Sequence, residues 1–192
     1  MPPTLPQPSP PSSARLPQTV AIIGAGPLGR SLALRAARAG FRVFLEDVLP
    51  SNLHHAQEFI RQELNAAALP AVAFVSTIED AVRSADLIID CVPDELESKL
   101  EILWLLDRMA PPSAVFATPT TALSIADLAA CTYRPDKCIA IAAAPAALAS
   151  LEGQAGATIL LRTGPETTPE TVSLVTDFWQ RLGVVVKVGA GT

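Results

Sequence analysis

The chain has 192 residues, of which 49% are hydrophobic, and a formal net charge of −5. This length suffices for one well-buried domain, and the negative charge argues against a nucleic-acid partner. No apolar run approaches the roughly 20 residues that a membrane-spanning helix needs, so we expect a soluble protein without a membrane partner.

A dense cluster of prolines and serines occupies residues 1–17. Such a segment cannot bury enough apolar surface to offset the entropy that it would lose on ordering. It also lacks the apolar core of a secretory signal. We therefore predict a disordered tail over residues 1–17, with a polyproline ligand role left open, and one folded domain over residues 18–192.

Three glycines follow a short apolar, β-branched run that begins at Val20. This pattern predicts a buried strand that turns into a helix at Pro27. In a dinucleotide-binding turn, Gly24 permits the tight bend, Gly26 lets a pyrophosphate approach the backbone, and Gly29 lets the helix pack on the strand. The unpaired amides at the helix start face the anion. The predicted pyrophosphate contacts are Gly24, Ala25, Gly26, Pro27, Leu28 and Gly29.

A second strand is predicted over residues 41–45, and Asp47 follows it, 23 positions after Gly24. A carboxylate at this place accepts hydrogen bonds from the ribose hydroxyls of an adenosine and repels a 2′-phosphate. The sequence therefore predicts NAD rather than NADP as the cofactor. A helix cap remains the alternative role for Asp47. Glu46, on the opposite face, is predicted to be solvated.

The rest of the chain alternates apolar runs with helical patterns. We predict helices over residues 51–69, 78–83, 93–109 and 169–182, strands over residues 72–75, 85–92, 114–117, 138–142, 158–162 and 184–188, and a flexible alanine-rich stretch over residues 143–156. Alternation of this kind predicts a Rossmann-type α/β fold, a single domain with a doubly wound, mostly parallel sheet.

The histidines and cysteines of the chain do not form the pattern of a metal site. The histidines His54 and His55 start a helix without further ligands at helical spacing, so we expect them at the surface. The cysteines Cys91, Cys131 and Cys138 show no metal-site spacing. Cys91 and Cys138 fall in predicted buried strands, which favours reduced thiols in a cytoplasmic protein. We expect no bound metal.

Several later segments resemble the NAD-binding domain of 3-hydroxyacyl-CoA dehydrogenases, which are oxidoreductases of fatty-acid metabolism. They are residues 85–96, 116–125, 134–137 and 164–172, together with the glycine turn and Asp47. The resemblance implies that NAD is the cofactor and that Asp47 contacts the adenosine ribose. It also implies that Asp94 and Lys99 lie near the nicotinamide half, and that Thr121 replaces a serine located between cofactor and substrate.

The catalytic histidine of the family does not carry over. Counting from Thr121 places it at Ala142, whose methyl group can neither accept nor donate a proton. The glutamate that orients the histidine falls at Leu160 or at Gln154, and Glu152 lies close to the second position. Of the family's catalytic groups, the chain retains the hydroxyl at Thr121 and lacks the histidine. We therefore expect weak or no activity from the chain alone.

Two other functions stay open. One is an active NAD-dependent 3-hydroxyacyl(-CoA) dehydrogenase that acts on a smaller 3-hydroxy acid or with a separate helical chain. The other is an NAD(H)-responsive regulator or scaffold that acts through residues 1–17. Because the family's helical domain would cover apolar surface, we expect a homodimer or a complex with such a chain. Acyl-CoA is a further candidate ligand, although the segment that contacts it in the family is shortened in this chain.

Overall fold

The computed structural model describes residues 17–64, 69–150 and 156–191 as one sheet with helices on both faces. The strands are β1 (Thr19–Ile23), β2 (Arg42–Glu46), β3 (Val72–Val75), β4 (Leu87–Asp90), β5 (Val115–Pro119), β6 (Cys138–Ile141), β7 (Thr158–Thr163) and β8 (Val185–Ala190). The helices are α1 (Pro27–Arg38), α2 (Pro50–Glu63), α3 (Ile78–Val82), α4 (Leu96–Met109), α5 (Ile125–Ala129), α6 (Pro145–Ala149) and α7 (Pro169–Arg181).

The sheet has the strand order β3-β2-β1-β4-β5-β6-β7-β8. All neighbouring strands pair in parallel except β6 and β7, which are antiparallel. The chain builds outward from β1 to β3 and then returns to place β4 on the other side of β1. This reversal opens a crevice at the carboxyl ends of β1 and β4, where ligands bind in sheets of this class. The predicted Rossmann-type fold is confirmed.

Alternation along each central strand divides the core between the two faces of the sheet. On β1, Val20 and Ile22 pack with one apolar cluster, and Ala21 and Ile23 pack with the other. The first cluster includes buried residues of α1, α2, α6 and α7, and the second includes buried residues of α3, α4 and α5. Because both faces are covered, both sets of side chains on the strand are buried.

The second helix ends earlier than predicted. It stops at Glu63, where Leu64 adopts extended backbone and turns its side chain into the core. The Arg38 guanidinium donates to the Glu63 carbonyl at 3.0 Å and to its carboxylate at 2.9 Å. The predicted end near residue 69 was therefore wrong, since the helix already ends at Glu63, which Arg38 of α1 binds.

The alanine-rich stretch predicted to be flexible contains a helix. Residues Pro145–Ala149 form α6, which packs against α1 and buries Leu148. The Ser31 hydroxyl donates to the Ala149 carbonyl at 3.1 Å. Residues 151–155 of that stretch lie outside the described residues. The unpredicted helix α5 begins at Ser124, whose hydroxyl accepts a hydrogen bond from the Asp127 amide.

The described part of the chain begins at Pro17. Residues 1–16 of the predicted tail lie outside the described residues, whereas Pro17 is buried and its carbonyl accepts a hydrogen bond from Arg181 at 3.1 Å.

Among the helices of the described ranges, none is long and apolar enough to cross a membrane. The three cysteines are free thiols, with Cys138 inside β6 and Cys91 just after β4 rather than within it.

Candidate functional site

The turn after β1 brings the first helix directly onto the strand end. Gly24 has a φ of +103°, a conformation that side chains other than glycine's rarely adopt. A Cβ at Gly29 would lie 1.8 Å from the Gly24 carbonyl oxygen. Gly24 therefore requires glycine for its backbone conformation and Gly29 for close packing, as the spacing predicted.

Gly26 plays a different part in the same turn. A Cβ placed there would meet no atom of the described residues within 4 Å, and Gly26 lines an open cavity. The residue also caps α1, whose first turn has no acidic residue and no side-chain cap. The Gly24 amide donates to the Glu46 carbonyl and the Ala25 amide to Asp47, so the amides at the start of α1 are the ones that an anion such as a pyrophosphate could meet.

Asp47 joins the glycine turn to the start of α2. Its Oδ2 accepts from the Ala25 amide at 2.8 Å and from the Asn52 side chain at 3.0 Å. Its Oδ1 accepts from the Leu49 amide at 2.8 Å. Oδ1 keeps a second lone pair, so the carboxylate can still accept a ribose hydroxyl. Sequence reasoning missed Asn52, which carries no motif of its own.

A cavity of about 320 Å³ opens where β1, β2 and β4 end. This volume is within the range of small-molecule sites. Its wall is mainly apolar and includes two acids. The lining residues are Ile23, Gly24, Gly26, Glu46, Asp47, Val48, Asn52, Ile78, Cys91, Val92, Pro93 and Ile102. The structure thus brings the glycine turn and Asp47 together around one cavity.

Glu46 is buried in the wall of this cavity, so the predicted solvated position was wrong. It is 2% exposed, and its Oε1 has no hydrogen-bond partner among the described residues. The reason is that α3 and α4 cover the face on which it lies, with Ile78 and Ile102 beside it in the wall. Burial, together with the charge of Asp47, raises the pKa of Glu46 to about 7.

A buried ion pair lies beneath the other half of the crevice. The Lys99 ammonium donates to Asp90 Oδ1 at 2.5 Å, and the two side chains are 0% and 1% exposed. Burial raises the pKa of Asp90, and the Lys99 charge opposes this effect. The resemblance places Lys99 near the nicotinamide half, and the structure shows its ammonium buried and bound to Asp90.

Asp94 and Thr121 are hydrogen-bonded to each other, a contact that the sequence did not predict. Asp94 Oδ2 accepts from the Thr121 amide at 2.9 Å and from its hydroxyl at 3.2 Å. Burial alone would raise the pKa of Asp94, but hydrogen bonds from Thr120 and Thr121 and the Lys99 charge outweigh it, so the pKa is lowered. The Asp94 Oδ1 atom is buried without a partner among the described residues.

No imidazole lies near Thr121 in the described ranges. His54 and His55 are exposed on α2, and His54 contacts Glu58 at 3.3 Å. The strands β1 and β4 separate β2, which precedes α2, from β5, which precedes Thr121. Both histidines therefore lie at the surface, as predicted, and on the β2 side of the crevice.

The two positions expected for an acid–base pair are adjacent and apolar. The Ala142 amide donates to the Leu160 carbonyl at 2.8 Å, across the antiparallel strands β6 and β7. Neither side chain can transfer a proton. The alternative position, Gln154, and its neighbour Glu152 lie outside the described residues.

The family profile for the 3-hydroxyacyl-CoA dehydrogenase NAD-binding domain matches residues 19–190. A 5-formyl-3-hydroxy-2-methylpyridine 4-carboxylate 5-dehydrogenase from Mesorhizobium japonicum is 28% identical over 185 residues, which cover 88% of this chain and 57% of that protein. A probable 3-hydroxybutyryl-CoA dehydrogenase from Bacillus subtilis is 29% identical over 133 residues, which cover 62% of this chain and 46% of that protein. The chain thus spans about half the length of these curated relatives.

Solved structures show the same fold. The (S)-3-hydroxybutyryl-CoA dehydrogenase of Ralstonia eutropha superposes with a TM-score of 0.81 over 92% of this chain and 64% of that chain, at 22% identity. A diketoreductase superposes with a TM-score of 0.78 over 91% of this chain and 65% of that chain, at 27% identity. In each case the similarity covers nearly all of this chain and only part of the other.

Replacing Gly29 with alanine should destabilise the domain strongly. The new methyl group would overlap the Gly24 carbonyl, and overpacking of this kind costs about 3 kcal/mol or more where backbone cannot move. Urea unfolding followed by circular dichroism measures the loss. Gly26→Ala is the matched control, because its methyl group meets open space, and it should cost less than about 1 kcal/mol. Equal losses in the two variants would contradict the packing argument.

Replacing Glu46 with glutamine should stabilise the domain above neutral pH. The folded-state pKa is raised from 4.5 to about 7, so the wild type loses stability relative to the variant as the pH rises from 4.5 to 7. Above pH 7 the difference should be on the order of 3 kcal/mol. Urea unfolding at pH 5 and pH 8 measures it, with the exposed Glu101→Gln as a control that changes little. A difference independent of pH would argue against a buried carboxylate.

Proposed function

Because the chain belongs to the 3-hydroxyacyl-CoA dehydrogenase NAD-binding domain family, we propose that residues 18–192 bind NAD(H) and turn over 3-hydroxyacyl-CoA weakly or not at all on their own. The observation that carries the proposal is the cavity shared by the glycine turn and Asp47. A pyrophosphate at the start of α1 and a ribose at Asp47 are the contacts that such a turn makes with a dinucleotide.

The residues divide between the two halves of the cofactor. Gly24, Ala25, Gly26, Pro27, Leu28 and Gly29 surround the pyrophosphate, and Asp47 accepts from the adenosine ribose through Oδ1. Asp94 and Thr121 serve the nicotinamide half, where the unpartnered Oδ1 of Asp94 can accept a ribose hydroxyl. Lys99 supports this half from below, because its charge helps to keep Asp94 ionised.

Bound NAD supplies the hydride acceptor, and the chain would have to supply the base that takes the substrate's hydroxyl proton. Thr121 is a poor base, and its hydroxyl already donates to Asp94. Asp94 has a lowered pKa, so it binds a proton weakly. Ala142 and Leu160 offer no proton-transfer group, and a missing general base typically costs about 10²–10⁴ in rate. This supports cofactor binding without efficient oxidation.

A second candidate is a dehydrogenase completed by a partner that supplies the base, either a separate helical chain or a second copy. The observation in its favour is that α4 leaves three large apolar side chains in solvent: Leu96 is 48%, Trp104 50% and Met109 42% exposed. Aromatic residues and Met are enriched where one chain binds another. Such a partner would also cover an acyl-CoA or a smaller 3-hydroxy acid bound at the crevice.

Calorimetric titration tests the cofactor assignment. NAD and NADH should bind the purified chain, and NADP should bind at least about tenfold more weakly, because Asp47 repels a 2′-phosphate. Gly26→Ala should weaken NAD binding at least about tenfold with little change in unfolding free energy, since its methyl group projects toward the pyrophosphate. Equal affinities for NAD and NADP, or an unaffected Gly26→Ala, would contradict the assignment.

Turnover tests the missing base. With NAD and 3-hydroxybutyryl-CoA, the purified chain should produce no NADH above background in an absorbance assay. Robust turnover that disappears in Thr121→Ala would refute a catalytically incomplete site. Turnover that appears only when a helical partner chain is added would favour the second candidate.

A further inference from the structure

The carboxyl group of Glu46 is unusual among the acids of the crevice because the fold leaves it without a partner. Its side chain lies on the face of β2 that α3 and α4 cover, and it is 2% exposed. Its Oε1 accepts no hydrogen bond from the described residues. Asp47 and Asp94, by contrast, each accept at least two. Since an unpartnered buried acceptor costs free energy, the position points to a donor from outside the chain.

The wall around Glu46 is suited to a flat apolar ligand. Ile78 of α3, Ile102 of α4 and Val92 after β4 line the same cavity. Asp47, the next residue along the chain, lies where the adenosine ribose is expected. The group attached to that ribose, the adenine base, is therefore the part of the dinucleotide that would enter this apolar part of the cavity.

The charges around the cavity leave Glu46 able to change its protonation state. Asp47, Cys91 and the buried Asp90 lie at the ends of β2 and β4, α3 carries the exposed Glu79 and Asp80, and α4 carries the buried Lys99 and Asp107 and the exposed Glu97, Glu101 and Arg108. Burial raises the pKa of Glu46 to about 7, and the Asp47 charge adds to this effect. The Lys99 ammonium is held by Asp90, and burial keeps the Cys91 thiol protonated by raising its pKa. A ligand that fills the cavity removes water and favours the neutral acid further.

A neutral carboxylic acid carries a donor and an acceptor side by side. The amide of glutamine or asparagine has the same pair, and it binds adenine through N6 and N7 at once. We propose that Glu46 recognises the adenine base as a neutral acid, so that dinucleotide binding takes up one proton from solution. This inference rests on the proposed function and adds to it a residue that recognises the base.

The proton balance involves a single group. An ionised Glu46 combines with one proton from the buffer when the base enters, and no other bond forms or breaks. Affinity for NAD should then be constant below about pH 7 and fall up to tenfold for each pH unit above it. The neighbouring Asp47 differs from Glu46 in that its oxygens accept three hydrogen bonds from N–H groups.

Calorimetry at pH 8 in two buffers of different ionisation enthalpy measures the proton uptake. Wild type should take up close to one proton for each NAD bound, and Glu46→Gln should take up none and bind NAD with an affinity that does not change between pH 6 and pH 9. Glu101→Gln, an exposed acid on α4, is the matched control and should behave as wild type.

Titration of wild type with each half of the cofactor shows which half causes the proton uptake. Titration of wild type with AMP should consume a proton, and titration with nicotinamide mononucleotide should consume none. NAD binding without proton uptake, or the same uptake in Glu46→Gln, would overturn this inference and leave the proposed function intact. Absence of NAD binding in all three proteins at every pH would refute the proposed function, and this inference with it.

Discussion

The close packing of α1 on the turn after β1 is the constraint on which the candidate site depends. A methyl group at Gly29 would lie 1.8 Å from the Gly24 carbonyl oxygen, so only glycine lets the helix begin directly above the strand end. Asp47 then fixes the turn to β2 by accepting from the Ala25 amide at 2.8 Å. The glycine turn, Asp47 and the cavity that they line are therefore joined by direct contacts.

The fold could be predicted from the sequence because its main signals are local. All eight predicted strands are present, with ends shifted by a few residues. The errors lie where distant contacts decide the structure. Helix α2 ends at Glu63, whose carbonyl accepts a hydrogen bond from Arg38 of α1. The stretch predicted to be flexible contains α6, and the Ser31 hydroxyl donates to the Ala149 carbonyl at its end, 118 residues further along the chain. Neither contact leaves a trace in local periodicity.

The candidate site was predictable where backbone geometry demands a residue type. The glycine turn follows from that demand, the acid 23 residues later follows from the chemistry expected at a strand end, and the structure brings the two together. Glu46 was misplaced because alternation along a strand indicates solvent only when one face of the sheet is bare. In a doubly wound sheet both faces carry helices, and the residue opposite a buried one is buried as well. Asn52 left no signal, since its contact with Asp47 depends on how α2 begins.

Glu46 and Asp94 are carboxylates at the same edge of the sheet, yet their pKa values move in opposite directions. Burial without a donor raises that of Glu46 to about 7, whereas hydrogen bonds from Thr120 and Thr121 lower that of Asp94. The carboxyl group that can exchange a proton near neutral pH therefore lies on the β2 side of the crevice. On the β5 side, Asp94 has a lowered pKa, and both histidines lie on the other side of the crevice. This separation supports the proposed function, in which the site holds NAD(H) without efficient oxidation of a substrate.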